Sequence, residues 1–330
     1  MTLPYDLVHK IQHSKPCDAW ASILAHAWSV CSQPITAGKV EAEVMRRDRA
    51  IGDIDLYMAT AAWDLWYRYE TSVPMTSRTL ADWWKTQSGG RAVVILDALS
   101  LREVPWLLDG AKQRGLVIHD ARVTCAELPA DTTSFAKALG FGQRSSLSNN
   151  GASDTHRLTG AYTESTDIPW GDCARLVGAQ PDWVLWHHWP DQLLHQHDDP
   201  GKGLSSLTQI VEQHLTSDSF WDLVDRLASG RRLVITSDHG YAASGLFTDS
   251  SKQQTEYLRG IFKSARWSNG EQEAGSWVPP IDLAIESAHG KHLFVNGRRK
   301  WKSAGGYPTL THGGLSILEV AVPFIEMSRG

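Results

Sequence analysis

Short apolar runs that alternate with helical segments constrain the fold of this chain more than any other feature of its sequence. The strand-like runs are residues 92–96, 116–118, 182–186 and 232–236. Segments with apolar residues at helical spacing follow or precede them, at residues 104–113, 204–215 and 220–228. A short continuous apolar run is typical of a strand buried on both faces. The alternation predicts an α/β fold, with a largely parallel sheet sandwiched by helices.

The region before the first strand has a different pattern. Residues 1–88 carry apolar residues at helical spacing over 19–31 and 40–69, and residues 79–82 match a capping box that opens a further helix. Because no cluster of acidic and histidine residues occurs there, we predict an N-terminal helical region that packs on the main domain.

The main domain is predicted to span residues 89–330, with a cap inserted at about 241–310. This insertion is rich in Gly, Ser and Pro, which predicts an irregular structure. Residues 316–319 match a second capping box, and residues 322–327 predict a late edge strand.

Composition limits the classes of function. The formal net charge is −5 and the pI is about 6.3, which excludes a globally basic nucleic-acid binder but leaves room for a local basic groove. The apolar runs are too short to cross a bilayer, and the first residues lack the pattern of a secretory signal. Four scattered cysteines without a Cys-x-x-Cys pair predict reduced thiols rather than disulfides or a thiolate zinc site. We therefore expect a cytoplasmic protein that does not contact membranes.

Acidic and histidine residues follow the predicted strands directly. They are Asp97, Asp191 with His195, Asp238 with His239, and His312. Taken singly, each has a simpler interpretation, such as a helix cap or a loop histidine. In open α/β sheets, however, ligands bind at the carboxyl ends of the strands, so these side chains are predicted to converge in space.

Three aspartates and three histidines provide a mixed oxygen and nitrogen ligand set. Such a set suits two divalent cations, most naturally zinc, with manganese or magnesium as alternatives. Paired cations can hold the attacking and leaving oxygens of a phosphoryl transfer, and they lower the pKa of a hydroxyl group. A serine or threonine nucleophile is therefore expected nearby.

The order of these elements resembles the PglZ domains of the alkaline phosphatase superfamily. The matching elements are Asp97 after its strand, Pro-x-x-Thr at 129–132, Asp-x-x-x-His at 191–195, Asp-His-Gly at 238–240 and His-Gly-Gly at 312–314. The chain end at 314–323 is also similar to the family's ending. The resemblance covers about residues 91–330, and the first 88 residues lie outside it.

The resemblance implies a role for each matched residue. Thr132 would be the nucleophile and form a transient phosphothreonine, with Thr133 and Ser134 as alternatives. One cation would be held by Asp97, Asp238 and His239, and the second by Asp191, His195 and His312. The crowded stretch around residue 195 leaves His197 as an alternative ligand to His195.

The resemblance further implies a metal-dependent phosphodiesterase that acts on nucleotides or oligonucleotides, in a bacterial phage-defence or signalling system. The basic, aromatic-interleaved run at 298–302 predicts substrate contacts by Arg298, Arg299 and Lys300, and a solvated loop face is the alternative. Arg102 is a further candidate for an anionic substrate, with an ion pair to Glu103 or Asp109 as its structural alternative.

Three other functions share parts of this pattern. A sulfatase would need Cys-x-Pro-x-Arg, which residues 125–129 do not provide. A phosphomutase or phosphomonoesterase of the same superfamily would use the same ligands. An inactive interaction module of a multi-protein defence complex would instead bind partners through the Trp-rich N-terminal helices.

Overall fold

The computed structural model describes residues 3–197, 203–243, 250–270, 272–301 and 310–330, with the backbone alone at residues 195 and 197. The α-helices are α1 (Tyr5–His13), α2 (Pro16–Cys31), α3 (Val40–Ala61), α4 (Tyr69–Ser72), α5 (Thr76–Thr86), α6 (Val104–Gln113), α7 (Thr132–Leu139), α8 (Trp170–Leu176), α9 (Asp191–His197), α10 (Gly203–Leu215), α11 (Asp218–Ala228), α12 (Lys252–Phe262) and α13 (Ile317–Val320). Short 3-10 helices span Trp63–Arg68, Leu101–Glu103 and Arg144–Asn150.

The strands are β1 (Gly90–Leu96), β2 (Leu116–Cys125), β3 (Tyr162–Thr166), β4 (Asp182–His187), β5 (Arg231–Thr236), β6 (Ala242–Ala243), β7 (Trp267–Asn269), β8 (Asp282–Ser287), β9 (Gly290–Val295), β10 (Leu310–Thr311) and β11 (Ala321–Arg329). In the described part of the chain, six of them form the central sheet in the order β2-β11-β5-β1-β4-β3. Strands β5, β1, β4 and β3 are parallel to one another, while β11 is antiparallel to both β5 and β2.

This mostly parallel sheet, flanked by helices, confirms the predicted α/β class. The prediction of an edge strand near the C-terminus is wrong, because β11 lies inside the sheet between β2 and β5. Its residues are buried on both faces almost to its end, as an interior strand requires. The edge strand β3 was not predicted, since its sequence Tyr-Thr-Glu-Ser-Thr lacks an apolar run.

Both faces of the sheet are covered. Along β1, Val94 and Leu96 pack on one side with residues of α6, α10 and α11, whereas Val93 and Ile95 pack on the other side with α5 and α7. Side chains in a strand alternate between faces, so an unbroken apolar run can fill two cores. Burial of each such side chain stabilises the fold by about 1.5–3 kcal/mol, which fixes β1 at the centre of the sheet.

The N-terminal helices share a core with the sheet. Trp20 of α2 and Ile51 of α3 belong to the same buried cluster as Val123 of β2 and Leu318 of α13. Two details differ from the sequence prediction. Helix α3 ends at Ala61 and is followed by a 3-10 helix, and α5 begins at Thr76, so Thr79 lies inside that helix. The Thr79 hydroxyl donates to the carbonyl of Met75, four residues back, rather than capping a helix start.

The predicted irregular cap is more regular than expected. It contains α12 and a three-stranded antiparallel sheet in the order β7-β9-β8. Leu258, Phe262, Leu293 and Val295 form its own small core. Glycines of the described cap also occur in regular elements, with Gly260 inside α12 and Gly290 at the start of β9. No helix in the described ranges is long and apolar enough to cross a bilayer.

Candidate metal centre

Three adjacent strands bring acidic residues to one edge of the sheet. Asp238 follows β5 by one residue, Asp97 follows β1 directly, and Asp191 begins α9 shortly after β4. The backbone N–H of Asp191 donates to the carbonyl of Asp97 at 3.1 Å, and that of Asp97 donates to the carbonyl of His187 at 3.0 Å. These bonds fix the ends of β1 and β4 to each other, and the Ser237 hydroxyl after β5 donates to the carbonyl of Leu96 in β1 at 2.8 Å, so the three strand ends converge as predicted.

A strained turn orients two of these carboxylates. Ala98, directly after Asp97, has a φ of 62°, in the left-handed region that non-glycine residues rarely adopt. In this conformation its N–H donates to Oδ1 of Asp238 at 3.1 Å. Backbone strain of this kind persists where surrounding contacts enforce it and is frequent at functional sites.

Two groups of side chains could each hold a cation, and in each group the ligand atoms lie within 4.8 Å of one another. One group is Asp97, Asp238 and His239, and the other is Asp191, His239 and His312. His312 follows β10, which pairs with β6, and its ring stacks on His239 at 4.2 Å between centroids. We call these five residues the acidic cluster.

The predicted ligand His195 lies in α9, four residues after Asp191. Its side chain and that of His197 lie outside the described part of the structure. The assignment of His195 as a ligand, and the choice between it and His197, therefore stay predictions.

The chemistry of His239 fits a metal ligand. Its Nδ1 lies 3.0 Å from the carbonyl oxygen of Gly240, and because a carbonyl only accepts, the proton sits on Nδ1. Nε2 is buried, makes no hydrogen bond to any described residue, and lies 3.5 Å from carboxylate oxygens of both Asp97 and Asp238. A metal-ligating imidazole is commonly oriented in this way through its other nitrogen. The residues present thus fit a divalent cation.

The electrostatics of the acidic cluster also favour a bound cation. Asp97, Asp238 and His239 are all fully buried. Burial, and next the Asp238 carboxylate, raise the pKa of Asp97 well above its usual value. Burial alone would lower the pKa of His239, but the carboxylates of Asp238 and Asp97 raise it to about 9. The site carries more negative charge than its own side chains neutralise, and a bound cation would reverse this imbalance.

Thr132 lies against the same carboxylates. Its hydroxyl is 2.9 Å from Oδ2 of Asp238 and 3.3 Å from Oδ1 of Asp97. It is the first residue of α7, and Asp131 rather than Thr132 caps that helix, accepting the N–H of Ser134 at 2.8 Å. Thr132 therefore does not cap the helix. Its hydroxyl faces the acidic cluster instead.

Arg144 is a site residue that the sequence prediction missed. Its guanidinium pairs with Oδ2 of Asp97, and its side chain is 27% exposed. After burial, Arg144 also lowers the pKa of His188, which contacts Ser165 at 3.0 Å. The segment around Arg144 is short, polar and without periodicity, so no pattern singled it out.

The predicted substrate-binding arginines have structural contacts. Arg102 pairs with Asp48, and Arg298 pairs with Asp48 at 2.9 Å and with Asp55 at 2.6 Å. We call these four residues the paired cluster. All are at most 3% exposed, so the predicted substrate contacts of Arg102 and Arg298 are corrected to a structural role. The partner of Arg102 is Asp48 on α3, not Glu103 or Asp109.

The rest of the basic run is also largely covered. Arg299 is 7% exposed, and Trp301 is buried with its indole N–H donating to the carbonyl of Lys263. Lys300 is partly exposed, whereas residue 302 lies outside the described part of the chain. The described residues of the run thus do not form an exposed basic and aromatic surface, and substrate contacts by Arg299 and Lys300 stay predictions.

Comparison with solved structures finds ectonucleotide pyrophosphatases/phosphodiesterases. The murine ectonucleotide pyrophosphatase/phosphodiesterase 5 has a TM-score of 0.47 and 11% identity, over 72% of this chain and 88% of that one. An inactive variant of it in complex with AMP gives a TM-score of 0.47 and 11% identity over 73% and 88%. The human protein gives 0.42 and 10% over 72% and 87%. No protein-family model and no curated protein matches the sequence, so the PglZ resemblance stays a prediction.

Proposed function

We propose that this chain is a metal-dependent phosphoester hydrolase of the alkaline phosphatase superfamily. Its substrates would be phosphodiesters, most naturally nucleotides or oligonucleotides, in the phage-defence or signalling setting of PglZ domains. The observation that carries the proposal is the 2.9 Å contact between the Thr132 hydroxyl and Asp238 Oδ2, inside a cluster of three aspartates and two histidines. A nucleophile within reach of two potential cation sites is what phosphoryl transfer requires.

The acidic cluster would hold two divalent cations, zinc most naturally. Asp97, Asp238 and His239 would hold one, and Asp191 and His312, with His195, would hold the other. When bound, the cations would lower the pKa of a hydroxyl group and neutralise charge on the phosphoryl oxygens. Every ligand atom in the described set is oxygen or imidazole nitrogen, which suits zinc or manganese.

The protein groups themselves orient and hold the reactants. The Asp238 and Asp97 carboxylates accept from the Thr132 hydroxyl and so fix the direction of Oγ1. Oγ1 attacks phosphorus, the bond to the leaving alkoxide breaks, and the phosphothreonine is then hydrolysed by water, which restores the hydroxyl. Thr132 also begins α7, so the positive N-terminal end of the helix dipole would favour a phosphoryl group transferred to Oγ1.

Arg144 is proposed to contact the substrate. Its guanidinium lies at the edge of the acidic cluster, is partly exposed, and pairs with a carboxylate that a cation would also bind. A cation on Asp97 would weaken that ion pair, which frees the planar guanidinium to bind an anionic phosphoryl oxygen.

The test compares Thr132→Ala with Thr133→Ala, which changes the exposed neighbouring hydroxyl. We expect Thr132→Ala to lower the turnover of bis-p-nitrophenyl phosphate by at least about 10³-fold with its metal content unchanged, because the nucleophile is lost. Thr133→Ala should retain turnover within a few-fold. Wild-type rates in Thr132→Ala would refute the nucleophile assignment. Wild-type protein inactive on both diesters and monoesters would favour the interaction module instead.

A further inference from the structure

A cavity of about 600 Å³ lies beside the metal centre. It opens between the end of β4, the start of α8, helix α9 and the α10–α11 junction, and Trp170, Trp189, Gln192, Gln213 and His214 are among its lining residues. We call it the aromatic pocket. Its volume is in the range of pockets that bind small organic ligands. Nothing in the proposed chemistry at the acidic cluster uses it.

The walls of the aromatic pocket are packed rings. Trp189 stacks on His214 at 5.3 Å between centroids, and Trp170 meets Trp189 edge to face at 5.5 Å. The indole N–H of Trp170 donates to Nδ1 of His214 at 3.0 Å, which fixes the orientation of both rings. Burial lowers the pKa of His214, so this wall is neutral at pH 7. Rigid, neutral aromatic walls suit a flat ring.

The rim of the aromatic pocket is polar and exposed. Three of its residues are glutamines, at positions 192, 196 and 213, and a glutamine amide carries both donors and an acceptor; the amide of Gln192 also donates to Asp167 at 3.3 Å. Paired amide donors and acceptors match the edges of nucleobases. Among the described lining residues there is no lysine or arginine, and the charged one is Asp167. The pocket therefore disfavours a phosphate group and favours an uncharged planar group with a polar edge.

The aromatic pocket and the acidic cluster share helix α9. Asp191, its first residue, belongs to the acidic cluster, while Gln192, the next residue, lines the pocket. Trp189 precedes Asp191 by two residues, so their Cα atoms are at most about 7 Å apart. A single nucleoside joins its base to its phosphate over a comparable length. The pocket and the acidic cluster therefore adjoin along the chain at the start of α9, and a ligand of this length is the kind that the proposal requires to span them.

We propose that the aromatic pocket binds the nucleobase of a nucleoside phosphodiester whose phosphorus lies at the acidic cluster. This inference rests on the proposed function and adds a specificity site to it. It implies that the enzyme favours phosphodiesters carrying a nucleoside over those carrying a small alkyl group on the same phosphorus.

The test introduces a large side chain at Gly171 to block the aromatic pocket. This glycine lines the pocket in α8, and a Cβ added there meets no heavy atom within 4 Å, so Gly171→Phe places a ring in the cavity without a clash at its base. Gly260→Phe is the matched control, because Gly260 is also an exposed helical glycine with open space at its Cβ, in α12 of the cap. Both variants are assayed with thymidine 5′-p-nitrophenyl phosphate and methyl p-nitrophenyl phosphate, which release the same leaving group.

We expect Gly171→Phe to lower kcat/KM for the thymidine ester about 5- to 150-fold, because one lost stacked base is worth about 1–3 kcal/mol. The methyl ester should change less than about twofold, and Gly260→Phe should change neither by more than that. Equal rates for both esters in the wild type, or an equal loss on both in Gly171→Phe, would overturn the proposal.

A binding measurement separates this proposal from the proposed function. Adenosine and thymidine, which carry no phosphate, are titrated by calorimetry into wild-type protein with EDTA present. Heat of binding that Gly171→Phe abolishes and Gly260→Phe retains supports the pocket, even if no phosphodiester is cleaved. Absence of nucleoside binding up to millimolar concentration overturns it, whatever the activity on methyl p-nitrophenyl phosphate.

Discussion

Two clusters of buried charged residues contact the segment that follows β1, and they differ in charge balance. One has equal numbers of carboxylates and guanidinium groups, whereas the other has an excess of carboxylates. The paired cluster combines two carboxylates with two guanidinium groups at hydrogen-bonding distances. The acidic cluster combines three carboxylates with two imidazoles, and Arg144 is the guanidinium that contacts it. Asp48 shows the consequence of pairing. Burial would raise its pKa, but Arg102 and Arg298 together hold it below its usual value.

The difference in charge balance distinguishes a cluster with a structural role from one with a chemical role. A buried charge that is fully paired needs nothing further, and its removal leaves the partner unpaired. The paired cluster joins α3, the segment after β1, and the cap through residues far apart in the chain. Its role is to hold those elements together. Among its described residues the acidic cluster has more carboxylates than positively charged groups, so it could hold a cation from solution.

Metal removal should produce the largest of the predicted effects, because it changes the acidic cluster and not the paired cluster. We expect extensive chelation to lower phosphodiester cleavage at least about 10⁴-fold, because the cations carry most of the charge stabilisation in such a mechanism. Zinc or manganese added back should restore the activity, measured by p-nitrophenolate release and by metal analysis of the protein. The far-UV circular dichroism should be retained, since the paired cluster does not depend on a cation. Full activity in metal-free protein would defeat the proposed mechanism.

Neutralising one carboxylate in each cluster should have opposite effects on stability. In EDTA, Asp48→Asn should lower the free energy of unfolding by about 3–5 kcal/mol, because it leaves buried guanidinium groups short of a partner. At about pH 10, where His239 is neutral, Asp238→Asn should leave it unchanged or raise it, since it removes one of three neighbouring negative charges and keeps an acceptor for the N–H of Ala98.

Urea unfolding measures both changes. The matched control is Glu41→Gln, which neutralises an exposed carboxylate on the same helix as Asp48 and should change stability by less than about 0.5 kcal/mol. A loss in Asp238→Asn as large as that in Asp48→Asn would show that the acidic cluster is stable without a cation.

The two clusters also differ in how far the sequence predicted them. The candidate ligands Asp97, Asp191 and Asp238 could be placed because each follows an apolar strand, and parallel strands bring their carboxyl ends to one edge. That inference uses local pattern and one rule of topology. It correctly predicted four of the strands of the central sheet, the class of the fold, and the meeting of these side chains at one edge.

The paired cluster and Arg144 could not be predicted in that way. Asp48 and Arg298 meet across 250 residues, and no local periodicity reports such a contact. The basic run that contains Arg298 therefore suggested a solvent-facing or substrate-binding role, because pairing with a distant helix is invisible in sequence. Arg144 lies in an irregular segment, where neither apolar spacing nor a strand end marks its position.

The smallest of the predicted effects is the pH dependence of the free energy of unfolding of the metal-free protein. It tests the acidic cluster alone. In the folded protein the pKa of His239 is raised from 6.5 to about 9, because the surrounding carboxylates outweigh burial. The folded state thus binds more protons than the unfolded chain between these two values. The associated stability is fully present below pH 6.5 and is lost as pH rises through about 9.

In EDTA we therefore expect the free energy of unfolding to fall by up to about 3 kcal/mol over this window, because each pH unit between the two pKa values contributes about 1.4 kcal/mol. His239→Gln should reduce the slope, since glutamine does not titrate and Asp97, whose pKa is also raised, is left as the titrating group of the cluster. Zinc should remove the slope, because a metal-bound imidazole is neutral at Nε2 and no longer takes up the proton. Urea unfolding at several pH values, with and without zinc, measures the slope. A fall of the same size in His239→Gln would place the titrating group elsewhere and weaken the contrast between the two clusters.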